Sequence, residues 1–152
     1  MKKFDKKELK EILYNCCGSV NWVNEFALHF PFESKEKMFE KAEEIWFGLK
    51  RKDWLEAFKE HPKVGDFESL QKKFGGTKDS SASIEKITEF IKYNKWYEKD
   101  FGFKFIVCGD GKSANEMLSL IKKRVKNNYE EELKIAMAEQ NKITKLKLEK
   151  LF

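Results

Sequence analysis

Two side chains in this sequence could move a proton near neutral pH, His29 and His61. An unperturbed imidazole titrates at about pH 6.5, which suits acid–base work at neutral pH. His61 lies in "EHPKVGDF", Glu60 to Phe67, just after an acidic, aromatic, helix-like run and just before a Pro62-x-x-Gly65 turn signal. A helix stopped abruptly by proline holds its last side chain at a rigid edge, where an acid–base residue can project. The plainer alternative is a ring that caps the preceding helix's carbonyls. His29 stands beside "FPF" at another helix end and reads as a structural or surface residue.

Other chemistries find less support. Cys16 and Cys17 are adjacent and Cys108 stands alone. That gives neither a Cys-x-x-Cys spacing nor an even framework, and all three read as small core residues. With only two histidines, a zinc or iron site would need an unusual ligand set, so no metal is expected. "GDGKSANE", Gly109 to Glu116, follows an apolar run and opens a helix, as a phosphate-binding loop would. The full pattern needs glycine five residues before Gly111-Lys112, and Ile106 stands there. What remains is a glycine turn with Ser113 as N-cap, whose exposed amides could still hold an anionic group.

These residues must be positioned by helices. The 152 residues suit one domain, 1–152, and are 41% hydrophobic and 38% charged, the balance of a soluble globular protein. Two prolines and eight glycines disfavour linkers and β-turn networks. There is no internal repeat, and no apolar run approaches the roughly 18 residues of a membrane span. The basic N-terminus "MKKFDKKELK" leads into a charged amphipathic stretch, not an apolar signal core, so cytoplasmic localisation is the default. The net charge of +5 raises nucleic acid as a partner. Glutamates interleave with the basic residues, however, as in "EKAEEIW" and "YEEELK", and runs such as "IKKRVK" read as solvated helix faces. Neither nucleic acid nor membrane is expected.

Apolar spacing is helical nearly throughout. Phe4 to Asn15 carries Leu9, Ile12 and Leu13 on one face. Ser19 is a plausible N-cap for a helix with Trp22, Val23, Phe26 and Ala27, ended by Pro31. Ser34 caps a helix whose stripe is Met38, Ala42, Ile45 and Trp46. Asp53 opens a short helix through Trp54, Ala57 and Phe58 to His61. Phe67 to Phe74 reads as a short helix and Thr77 to Ser83 as a polar loop. Ile84 to Asp100 turns Ile87, Phe90, Ile91 and Trp96 or Tyr97 inward. "FGFKFIVCGDG", Phe101 to Gly111, breaks the rhythm and reads as extended or loop. Ser113 caps a helix to Arg124, and Asn127 or Asn128 precedes a last helix from Tyr129 to about Lys150. The expectation is an all-α compact single-domain bundle with one short extended apolar segment near 103–109.

Five stretches, in order, carry a family likeness: "CGSVNW", "PFES", "DWLEAFKEHPKVGD", "YNKWYEKDFGFKFIVCGDGKSANEML" and "EEELKIAMAEQNKITKLKLEKL". Together they resemble the 2-oxo-4-hydroxy-4-carboxy-5-ureidoimidazoline (OHCU) decarboxylases of urate breakdown. The resemblance implies an all-α bundle paired as a homodimer, working without metal or organic cofactor. It implies release of carbon dioxide from OHCU and one-sided protonation to (S)-allantoin. It assigns His61 as the essential acid–base residue, with Pro62, Ser81 and the segment Phe105, Ile106, Val107, Cys108 and Gly109 lining the substrate.

Two departures accompany the likeness. The family's Ser-x-x-Glu-Gln motif falls in a region that is shorter here. Either Glu85, followed by Lys86, stands for the family's catalytic glutamate, or that residue is absent. The family's Ile-x-x-Leu-Arg-Leu has Lys147 in place of arginine, a point charge where a planar fork would grip a carboxylate. An alternative role is therefore a catalytically degenerate relative that binds a ureide-like metabolite or a protein partner.

Overall fold

In the computed structural model, residues 4–61 and 84–152 are described, and among them the chain forms seven helices and no strand. They are α1 (Lys6–Cys16), α2 (Val20–Ala27), α3 (Lys35–Phe47), α4 (Arg51–Lys59), α5 (Ile84–Phe101), α6 (Ala114–Arg124) and α7 (Tyr129–Leu151). The all-α expectation holds. The expected helix over Phe67–Phe74 and the polar loop Thr77–Ser83 lie outside the described residues. The chain divides into two compact units, Met1–His61 with Met137–Phe152, and Pro62–Ala136. Helix α7 contributes to both.

In the first unit α1, α2 and α3 each begin on a side chain that accepts an orphan amide, as a helix start favours. Asp5 Oδ1 accepts from the Glu8 amide (2.8 Å), Ser19 Oγ from Trp22 (3.2 Å) and Ser34 Oγ from Lys37 (3.2 Å). Asp5 explains why α1 starts at Lys6 and not at Phe4. Helix α4 likewise starts at Arg51, two residues before the expected Asp53. Asp53 sits one turn in, where its Oδ2 accepts from the Lys50 amide at 3.2 Å. A carboxylate suits either position, and so the residue type alone misplaced the boundary.

The core of this unit gathers Leu13, Trp22, Phe26, Met38, Trp46 and Phe58, all fully buried. A buried indole needs an acceptor for its N–H. Trp22 Nε1 donates to Ala42 O (3.1 Å), Trp46 Nε1 to Met137 O (3.0 Å) and Trp54 Nε1 to Trp46 O (2.8 Å). The last of these satisfies a carbonyl at the end of α3. Gly18, between α1 and α2, allows a close approach. A Cβ there would stand 2.6 Å from Cβ and Cγ of Glu60 at the end of α4.

In the second unit α5 buries Ile87, Phe90, Asn94, Tyr97 and Phe101, and α6 buries Ala114, Met117, Leu118, Ile121 and Arg124. Of the two aromatics proposed to face inward near the end of α5, Tyr97 does and Trp96 is exposed. Ser113 and Glu116 form a reciprocal capping box, with Glu116 N to Ser113 Oγ at 3.1 Å and Ser113 N to Glu116 Oε1 at 3.4 Å. Asn128 begins α7 by accepting from the Glu131 amide at 2.9 Å. The apolar segment between α5 and α6 is non-helical, as expected, with left-handed glycines near its ends, Gly102 (φ 77°) and Gly111 (φ 75°). Its Phe105 ring packs edge-on to Tyr97 at 5.2 Å between centroids.

Arg124 corrects the reading of "IKKRVK" as a solvated run. Its side chain is buried, with Nε on Glu132 Oε1 (2.8 Å), one terminal nitrogen on the Ile106 carbonyl (2.6 Å) and the other on the Tyr97 hydroxyl (3.4 Å). The guanidinium also stacks 4.4 Å from the Phe105 ring centroid. Glu132, fully buried, further accepts from the Tyr97 hydroxyl (2.6 Å) and Asn127 Nδ2 (2.9 Å). Burial first, and then the hydrogen bond to Glu132, push the Tyr97 phenol well above its ordinary range, so it remains a donor. Arg124 follows Met117 and Ile121 at helical spacing, and that continuation of the stripe is what brings it inside. Lys122 stays at the surface with Glu89 (2.6 Å).

Two stability outcomes follow. Gly18→Ala forces Glu60 aside and should cost about 1–3 kcal/mol, as overpacking does, read as a lower urea midpoint at unchanged slope. Arg124→Met strands the Glu132 carboxylate and should cost about 3–5 kcal/mol. Adding Glu132→Met should recover part of that loss, because the two substitutions then remove both charges.

Candidate active site

His61 owes its position to α4, and α4 is tied to the start of α2. Val20 and Asn21 open α2. The Val20 amide donates to Glu56 Oε1 (3.2 Å), and Asn21 Nδ2 donates to Asp53 Oδ1 (2.8 Å). Two acidic residues of α4 therefore meet the amide-rich end of α2, where negative charge is favourable. At its far end α4 closes with Glu60 N on Ala57 O (3.2 Å) and His61 N on Phe58 O (3.3 Å). Phe58 is fully buried, so the backbone leading to His61 is anchored in the core.

The His61 ring is half-buried, and its Nε2 is hydrogen-bonded to Gln140 Oε1 on α7. Gln140 is 1% exposed. Its Nε2 donates to Thr144 Oγ1 (3.1 Å), and Thr144 Oγ1 donates to the carbonyl of Cys16 (3.3 Å), the last residue of α1. Sequence reading did not single out Gln140. The signal was available: Leu133, Ala136, Met137, Gln140, Thr144 and Leu148 form one i, i+3, i+4 stripe, and all are buried. A glutamine inside such a stripe must have partners.

Lys147, seven residues after Gln140, is exposed, and its ammonium donates to the Asn15 carbonyl at 3.1 Å. Glu85 is exposed in the first turn of α5. In the apolar segment Ile106 and Cys108 are buried, and Phe105, Val107 and Gly109 are half-buried. Arg124 takes the Ile106 carbonyl, Lys112 Nζ the Cys108 carbonyl (2.9 Å) and the Lys112 amide the Gly109 carbonyl (3.0 Å). The segment is thus held by its backbone. Pro62 and Ser81 lie outside the described residues.

All three cysteines are buried and unbridged. Burial pushes Cys16 to about 11 and Cys17 to about 12, so both remain thiols at neutral pH and are poor nucleophiles. His29 is exposed. Among the described residues no group of three His, Cys, Asp or Glu side chains could hold a metal ion, and no helix is long and apolar enough to cross a membrane.

Comparison with known proteins bears on this arrangement. The family model "OHCU decarboxylase" matches residues 2–149. The uric acid degradation bifunctional protein TTL of Arabidopsis thaliana is 37% identical over 147 residues, covering 90% of this chain and 45% of that protein. The uric acid degradation bifunctional protein of Bacillus sp. (strain TB-90) is 26% identical over 162 residues, covering 100% of this chain and 32% of its own. This chain therefore spans less than half the length of these relatives. Among solved structures, an OHCU decarboxylase crystallised in the presence of (S)-allantoin matches with a TM-score of 0.82 at 37% identity, over 94% of this chain and 97% of that one. An (S)-allantoin synthase shares the fold, with a TM-score of 0.70 at 18% identity, over 93% of this chain and 48% of that one. From the match across nearly the whole sequence, the chain belongs to the OHCU decarboxylase family.

Proposed function

We propose that this protein decarboxylates OHCU to (S)-allantoin in urate degradation, with His61 as its acid–base residue and without metal or organic cofactor. The observation that carries the proposal is His61 itself. It stands at the anchored end of α4 with one ring nitrogen on a buried glutamine, in the His-Pro motif of a chain matching the family over residues 2–149.

The chemistry accounts for the lack of any need for a cofactor. As the bond to the carboxyl carbon breaks, its electron pair passes into the conjugated ring of OHCU, where carbonyl and imine can accept it. Carbon dioxide leaves, and one proton is taken up at carbon. What the protein supplies is orientation, stabilisation of the developing charge and a proton delivered to one face. His61 handles the proton. Phe105 to Gly109, with Pro62 and Ser81, line the substrate, and Lys147 attracts its carboxylate. If Glu85 stands for the family's glutamate, it would orient His61 or hold the ureido N–H groups. The protein works as a homodimer in the cytoplasm.

A second reading is a non-catalytic relative that binds a ureide-like metabolite or a protein partner. Two observations favour it: Glu85 is exposed, and the Lys147 ammonium is engaged by a helix-end carbonyl.

Circular dichroism of OHCU generated in situ from urate separates the two. Rapid appearance of optically active allantoin supports the enzyme. His61→Ala should reduce that rate about 10²- to 10⁴-fold, the usual contribution of general acid–base catalysis. Racemic product at the spontaneous rate with the unaltered protein would sink the proposal. Lys147→Met should raise KM several-fold while kcat stays within about twofold if the ammonium binds the ground-state carboxylate. A change in stability alone would confine Lys147 to holding α1.

A further inference from the structure

We propose that Gln140 is a positioning residue that fixes the tautomer of His61, through a one-way chain of hydrogen bonds that starts at the Cys16 carbonyl. The chain runs along four groups, each with limited freedom. The Cys16 carbonyl can only accept, so the single hydroxyl proton of Thr144 goes to it or to the neighbouring Cys17 sulfur, and in either case not to Gln140. Thr144 Oγ1 must then accept from Gln140, which turns the amide nitrogen of Gln140 towards Thr144 and its carbonyl oxygen towards His61. A carbonyl oxygen cannot donate, so His61 Nε2 must carry a hydrogen. The neutral ring is therefore the Nε2–H form, and Nδ1 is its basic nitrogen.

Glutamine suits this task better than a carboxylate would. It is neutral, so it orients the ring without drawing a second proton onto it. Gln140 and Thr144 lie one turn apart on α7, and both are buried, which holds their side chains in one arrangement. Under the decarboxylase reading, on which the functional half of this inference rests, the fixed tautomer sets which ring nitrogen exchanges the proton. Gln140 acts through His61 and not on the substrate.

The test needs no substrate. In long-range proton–nitrogen NMR of the imidazoles at a pH where both rings are neutral, the protein supplies its own reference, because His29 is exposed. His61 should show the Nε2–H form alone, whereas His29 should show the averaged mixture of a solvated ring. Gln140→Leu should move His61 to that mixture, and Gln140→Glu, which still accepts from Nε2 but carries charge, should keep the proton on Nε2 and hold the ring doubly protonated to higher pH. Thr144→Val removes the anchor with little change of shape and should partly release the tautomer, which keeps the inference open to refutation if Gln140→Leu does not fold. In the allantoin assay Gln140→Leu should lower kcat about 10- to 100-fold with KM nearly unchanged, as loss of alignment does. An Nδ1–H or averaged His61 in the unaltered protein, or an unmoved tautomer in both variants, overturns the inference. A fixed tautomer without decarboxylation would leave the positioning role standing and remove the enzyme. Decarboxylation with a mobile tautomer would do the reverse.

Discussion

Every helix end leaves backbone groups without partners, and in the helical units of this chain those groups organise the side chains around them. At the starts of helices the partners are Asp5, Ser19, Ser34, Asp53, Ser113 and Asn128. At the ends, the Trp54 indole takes a carbonyl of α3, while Thr144 and Lys147 take the last carbonyls of α1. The histidine with the best claim to chemistry is joined to this system. Its ring partner, Gln140, is held by the same threonine that satisfies Cys16. A structural necessity at the end of α1 thereby becomes an orientation at His61.

The second unit meets a different demand with different means. A non-helical apolar segment cannot satisfy its own backbone, so its carbonyls go to Arg124 and to Lys112. Bringing a guanidinium inside is costly, and it is matched by Glu132, Tyr97 and the Phe105 face. Such a pair need not exceed an apolar core in stability. Its donors do, however, fix where the Ile106 carbonyl sits, and the shape of the segment with it.

Most of the scaffold was legible in the sequence, because apolar spacing is a direct imprint of the buried face. Met38, Ala42, Ile45 and Trp46 were read as one stripe and are buried as one. Ser19, Ser34 and Ser113 were read as caps and accept the expected amides. Failures came where a polar residue changes meaning with its environment. Arg124 looked like one cation in a basic run, since residue type does not say which side of a helix is wet; only its phase relative to Ile121 does. Asp53 suited two positions in the same turn. Gln140, which takes the His61 ring, lies far away in the chain, and nothing local to "EHPK" points to it. The family resemblance carried the assignment of His61, whereas the hydrogen bonds that aim its ring had to be seen in three dimensions.

Gly18 links two distant positions in the history of this chain. Because the space beside it is filled by the Glu60 stem, a larger residue at 18 is free of strain only after position 60 has lost bulk. Position 60 is the immediate neighbour of His61. Drift at position 18 is therefore conditional on position 60, whereas a smaller residue at 60 meets no obstacle at 18. Substitution at 18 should follow loss of bulk at 60 and not precede it.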